Sequence, residues 1–207
     1  MIAADSEADR FVMGLLRACA DVVLIGSGTL HGSPRSLWTA ERAFPAGAEA
    51  FGELRRRLGR PPEPELAVLT GSGEVDSAHP ALEHGALVLT TESGAARLAG
   101  LLPGAASIVS VGGGAAVDVA AAVATLRERG HRLILSEAGP HVFGALLAAR
   151  LVDELFLTLS PVLAGRMPGD GRLGLVQDAD LVPEALAEAR LLSARRDGAH
   201  LFLRYEL

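Results

Sequence analysis

Asp21-Val22-Val23-Leu24-Ile25-Gly26-Ser27-Gly28-Thr29-Leu30 is the stretch that decides the fold. Its apolar run does not alternate with polar residues, so a strand here has both faces covered, as in a parallel sheet flanked by helices. The run ends in a glycine-containing turn. Upstream, Ser6 to Ala20 reads as a helix opened by Ser6-x-x-Asp9, with Phe11, Leu15, Leu16 and Cys19 on one face. Downstream, the spacing predicts a helix over Ala48 to Leu58, then a break at Arg60-Pro61-Pro62-Glu63-Pro64 and a strand from Glu65 to Thr70.

The alternation continues. Strands are expected at Ala86 to Leu89, Ser107 to Val111 and Arg132 to Ser136, and helices at Glu92 to Leu101, Ala115 to Arg129 and Gly144 to Arg150. The last third changes character. Asp153 to Val162 reads as a long strand, and two alternating runs, Ala189 to Arg196 and His200 to Glu206, flank Asp197-Gly198, a strong hairpin signal. The expected fold is a three-layer α/β/α mixed sheet with an antiparallel C-terminal edge, in one domain over residues 1–207 of the chain.

Composition excludes several chemistries. All 19 basic residues are arginine, which removes a Schiff-base lysine and a Walker A lysine. A net charge of −6 leaves no basic stripe for nucleic acid. Arg55-Arg56-Arg57, the one basic run, reads as a solvated helix end. The single cysteine, Cys19, reads as a small buried hydrophobe in a reducing compartment. No membrane-length apolar tract and no signal peptide are visible, so a cytoplasmic location is expected. The histidines lack metal-ligand spacing, and no nucleophile elbow is present.

Three segments could carry chemistry. Gly26-Ser27-Gly28-Thr29 is either a tight turn or a place where backbone N–H groups approach a phosphate; it lacks the third glycine of the dinucleotide fingerprint, and no helix is expected directly after it. Gly112-Gly113-Gly114 is either a connector or a pyrophosphate site at a helix beginning at Ala115. Glu137-Ala138-Gly139-Pro140-His141 follows a strand and opens a helix, so Glu137 is either a helix cap or a carboxylate facing a ligand crevice. His141 reads as part of the helix start. Leu37 and Trp38 either pack under a loop or touch ligand.

In order, L-L-R-A-C-A-D-V-V-L-I-G-S-G-T-L, S-E-A-G-P-H-V-F-G-A-L-L and L-V-D-E-L-F-L-T-L-S-P-V-L-A-G resemble the reductase domain of the bifunctional riboflavin-biosynthesis deaminase/reductase and its stand-alone relatives. The resemblance implies a dihydrofolate-reductase-like fold, NADPH as cofactor, a homodimer, and reduction of the ribosyl carbon of 5-amino-6-(5-phosphoribosylamino)uracil. By resemblance, Arg17, Leu37 and Glu137 meet the substrate. Gly26, Gly28, Thr29 and Ser33 form the cofactor turn, Gly139, Pro140, His141, Val142 and Phe143 cradle NADPH phosphates, and Ser72 lies near the 2′-phosphate. Two departures stand out. Ala138 replaces the middle glycine of the family's Glu-Gly-Gly, and the family's first strand, expected between 132–137 and 155–160, has no counterpart here. A reductase of a pterin or other heterocycle, and an inactive cofactor-binding or assembly paralogue, are the competing readings.

Overall fold

The computed structural model describes residues 6–114, 116–163, 173–179, 181 and 188–207. Helix α1 (Glu7–Cys19) leads into β1 (Val22–Gly26), followed by α2 (Ser27–His31), α3 (Ala40–Ala43), α4 (Ala48–Arg57), β2 (Glu65–Thr70), α5 (Pro80–His84) and β3 (Leu87–Thr90). Then come α6 (Glu92–Leu98), β4 (Ser107–Ser110), α7 (Val119–Glu128), β5 (Ile134–Ser136), α8 (Pro140–Ala148) and β6 (Glu154–Leu159). Strands β7 (Arg190–Asp197) and β8 (His200–Glu206) close the chain.

Five strands form a parallel sheet in the order β4-β3-β2-β1-β5. Every residue of β1 is buried, as its unbroken apolar run requires. Side chains alternate between two cores. Val23, Ile25, Val68 and Val88 meet Leu30, Trp38, Leu82 and Leu98 on one face. On the other, Val22, Leu24, Leu69, Leu87 and Leu89 meet Ala122 and Leu126 of α7, with Val142 of α8 alongside. Helices on both faces make the expected three layers.

Ser6 caps α1 by accepting from the Asp9 N–H at 3.1 Å. The helix seats differently from its apolar spacing, however. Gly14 and Ala18 are buried, while Phe11 stays exposed and touches the rings of Phe44 and Phe51. A Cβ on Gly14 would press on the Phe51 ring at 2.7 Å, so close approach of α4 decides which face is buried. Cys19 on that helix is only half-buried.

A second correction concerns the basic run. Arg56 and Arg57 are solvated and pair with Glu53, but Arg55 is 1% exposed. It lies one helical turn from buried Phe51, on the same face of α4. A third correction moves α7, whose first residue is Val119; its N-terminus is closed by Asp118, which accepts from the Ala120 and Ala121 N–H groups. Ala115, the expected start, lies outside the described residues, as do Ala164 and Gly165 of the third motif and the first five residues.

The antiparallel third forms as its alternation predicts, with Gly198 at φ +55° in the turn. It is a separate sheet, in the order β6-β8-β7. Among the described residues no strand lies against the outer edge of β5 or of β6. Asp21 N–H donates to Leu133 O and Glu137 N–H to Leu24 O, so odd-numbered residues of β5 bond to β1. The backbone groups of Ile134 and Ser136 therefore turn outward.

Candidate active-site crevice

All five parallel strands end on one side, and a crevice there is the usual ligand position in an open α/β sheet. The glycine turn after β1, Ser72 after β2, Glu137 after β5 and the start of α8 share this edge. Contrary to expectation a helical turn, α2, does begin at Ser27, anchored by buried Leu30.

Arg17 and Glu137, 120 residues apart in sequence, form a bidentate pair. Arg17 Nε donates to one carboxylate oxygen and Nη2 to the other, both at 2.7 Å. The two side chains are 11% and 12% exposed. Arg17 Nη1 also donates to the Thr39 carbonyl at 3.2 Å, and Thr39 is the buried cap of α3. A guanidinium has five N–H groups, so this arrangement leaves one on each terminal nitrogen, and each carboxylate oxygen keeps a lone pair. The pair can therefore both donate to and accept from a ligand hydroxyl.

Gly139 is the N-cap of α8 in extended conformation (φ −71°, ψ 175°) with no side-chain cap. Pro140 has no N–H, and the next N–H groups point out of the helix end. A Cβ on Gly28 or Gly139 would meet nothing within 4 Å, whereas one on Gly26 would touch Val142 Cγ2 at 3.5 Å. Gly26 thus lets α8 approach β1, while open space stands above Gly28 and Gly139. At the ends of β2 and β3, Thr70 and Thr90 carry buried hydroxyls without a partner. Open space at the glycines and a donor-rich helix end suit the phosphates of a dinucleotide.

The remaining expected residues divide. His141 lies in the first turn of α8, at the helix start as expected, and its Nδ1 meets Asp178 Oδ2 at 2.6 Å on the surface. Val142 and Phe143 are half-buried in the first turn of α8. Thr29 lies in α2. Ser72 accepts from the Glu74 N–H in a local turn. Leu37 packs on the core that holds Val23 and Ile25 and borders a crevice with Glu63, Pro64 and His84, at the amino ends of β2 and β3. Trp38 is core, its ring 6.0 Å from the His79 ring and tilted 35° to it.

His79 was not foreseen. It is buried, accepts from the Ala81 N–H at Nδ1, and so donates from Nε2 to the Ser33 carbonyl at 3.0 Å, fixing the loop after α2. The His-Pro pair before a helix was the available signal. Gly112-Gly113-Gly114 stands before no free helix N-terminus, because Asp118 occupies it. No cluster of potential metal ligands exists among the described residues. No helix among them is long and apolar enough to cross a membrane.

A parallel sheet covered on both faces, an antiparallel tail, and a polar pair beside a glycine-rich helix start define an α/β domain with a candidate ligand crevice at the carboxyl ends of its parallel strands. The chain belongs to the family described as RibD C-terminal domain, matched over residues 3–202. A pyrimidine reductase-like protein from Corynebacterium diphtheriae is similar in structure with a TM-score of 0.75 and 22% identity, over 98% of this chain and 81% of that one. Acinetobacter baumannii RibD superposes with a TM-score of 0.69 and 19% identity, over 97% of this chain and 51% of its own. The deaminase/reductase from Thermotoga maritima gives 0.65 and 18%, over 97% and 49%. The chain thus spans about half the length of these last two. No curated protein matches it.

Proposed function

We propose that the chain is an NADPH-dependent reductase of 5-amino-6-(5-phosphoribosylamino)uracil. The observation that carries this reading is the Arg17–Glu137 pair, placed beside the open glycine turn and the uncapped start of α8. NADPH, when bound, supplies the hydride, so the protein needs no nucleophile. What remains for the side chains is alignment. The pair is already neutral, which suits the hydroxyls of a ribosyl chain better than a phosphate. Phosphates belong to the N–H groups after Gly139 and to the backbone at Gly28 and Thr29.

The test is titration with NADPH and NADH. Saturable binding with preference for NADPH is expected, and binding of neither would sink the reading. Gly28→Ala sharpens it. Alanine in place of glycine within α2 adds up to about 1 kcal/mol of stability, since no protein atom obstructs the methyl. The same methyl occupies the open space and weakens NADPH by on the order of tenfold, the loss of about one neutral hydrogen bond. A variant that gains stability and keeps full affinity would remove Gly28 from the cofactor site.

We also propose a homodimer. The register places Leu155, Leu157, Leu159, Leu201, Leu203 and Tyr205 on one face of the antiparallel sheet, and none is buried within the chain. An apolar face of that extent calls for a cover. Sedimentation should give twice the 21.4 kDa chain mass, and Leu203→Asp should halve it. A monomer at micromolar concentration would contradict this.

A further inference from the structure

We propose that Arg55 is a positioning residue that acts through Arg17, holding the end of α1 so that the Arg17–Glu137 pair keeps its place. The inference rests on the reading of that pair as the substrate contact. Arg55 Nη1 donates to three carbonyls at the end of α1, those of Arg17 at 3.1 Å, Ala18 at 3.1 Å and Ala20 at 2.8 Å. Its Nε donates to the Pro61 carbonyl at 2.6 Å. One guanidinium therefore ties α1, which carries Arg17, to the chain leaving α4, which carries Arg55.

The choice of residue is costly for a purely structural tie. A cation is buried here with no carboxylate bonded to it, and Nη2 has no acceptor at all. Burial, and behind it the charge of Arg60, pulls the Arg55 pKa below its usual value. What favours the cation is the negative end of the α1 dipole, whose last carbonyls it collects, together with the nearby charges of Asp21 and Glu63. An apolar side chain of the same length would remove the buried charge but leave the Ala18, Ala20 and Pro61 carbonyls without this donor. It would leave the carbonyl of Arg17 without its clamp.

The link to the site is one residue long. The Arg17 carbonyl accepts from Arg55 and from the Ala20 N–H, while the Arg17 side chain reaches Glu137 and Thr39. A shift at the carbonyl is transmitted to a fork whose two bonds both need correct angle and distance. Lysine at position 55 would present three donors from one atom and could not reproduce a planar fork that serves Pro61 on one side and three carbonyls on the other.

The test uses the full chain with 15N-labelled arginine. The Arg17 Nε–H signal, identified by its loss in Arg17→Met, should exchange slowly with water because Nε is bonded to Glu137. In Arg55→Met this exchange should quicken by on the order of tenfold, the weakening of about one hydrogen bond. Arg55→Lys should fall between. An Arg17 signal unchanged in Arg55→Met, with the fold intact by its other amide signals, overturns the proposal. If Arg55→Met unfolds, Arg55→Lys gives the same reading, and normal Arg17 exchange there is equally fatal. Turnover adds a second reading. In Arg55→Met the KM for the phosphoribosylaminouracil should rise while NADPH affinity holds, and the rise should vanish in an Arg17→Met background. An equal rise in that background would show Arg55 acting independently of Arg17. Should the wild-type chain turn over nothing, the proposed function fails, and the exchange measurement still decides the role of Arg55.

Discussion

Arg17→Met is expected to lower kcat/KM for the phosphoribosylaminouracil by about 100-fold while leaving NADPH affinity within about twofold. The size follows from losing hydrogen bonds made by a charged group, roughly 1.5–3 kcal/mol. The same change strands Glu137, which is 12% exposed and would lose its bidentate partner. A fully buried carboxylate so stranded costs about 3–5 kcal/mol, and partial exposure reduces that to roughly 1–3 kcal/mol here. Stability and activity therefore fall together in the single variant. They separate in Arg17→Met with Glu137→Leu, where no charge is left unpaired. Stability should return to near the starting value with activity still lost. Recovery of activity along with stability would make the pair structural and would withdraw the substrate reading. Arg17→Lys is expected to behave like methionine in turnover, since an ammonium cannot make the fork.

The sequence disclosed the fold largely through its strands. Val22 to Ile25, Leu66 to Leu69 and Leu87 to Leu89 are unbroken apolar runs, which only a sheet covered on both faces explains. Helix faces were less legible, because apolar size and burial part company at close contacts. Gly14 is buried and Phe11 is not, as the Phe51 ring leaves no room for a Cβ at position 14. The Arg55 reading failed for a related reason. Charge predicts solvent, and only the four-residue step from Phe51 hints that the helix turns this one arginine inward. In the site, Glu137 and Gly139 were visible as a carboxylate and a glycine at a strand-to-helix junction. Arg17 was identified by resemblance alone, since a partner 120 residues away leaves no local pattern. His79 reaches the Ser33 carbonyl of another loop, which composition does not encode, whereas Asp118 acts on N–H groups of its own helix and is a local signal of the N-cap kind.

Supplying one extended strand between β5 and β6 is expected to raise the melting temperature by about 10 °C, the largest stability effect foreseen for this chain. We propose that these two edges accept such a strand. Its support is the pair of open edges. Ile134 and Ser136 turn their backbone groups away from β1, and β6 pairs only with β8 among the described residues. A strand of five or six residues would engage both edges, with each bond contributing about 0.5–1.5 kcal/mol net. It would also shield Phe156 and Leu159, which are 42% and 45% exposed. Several bonds and this burial give roughly 3–5 kcal/mol, and a domain of this size gains about 2–4 °C per kcal/mol. The measurement compares the chain with one lengthened ahead of Ser6 by a six-residue apolar strand and Asp-Gly. Hydrogen exchange at Ile134 and Ser136 should slow in the longer chain, because their outward N–H groups acquire acceptors. Unchanged melting with unchanged exchange at these two amides would mean that the edges are not a strand site. The union matters for chemistry as well as for stability. Glu137 follows β5 directly, so a strand paired along that edge would fix the carboxylate from the side opposite Arg17 and complete the wall of the crevice.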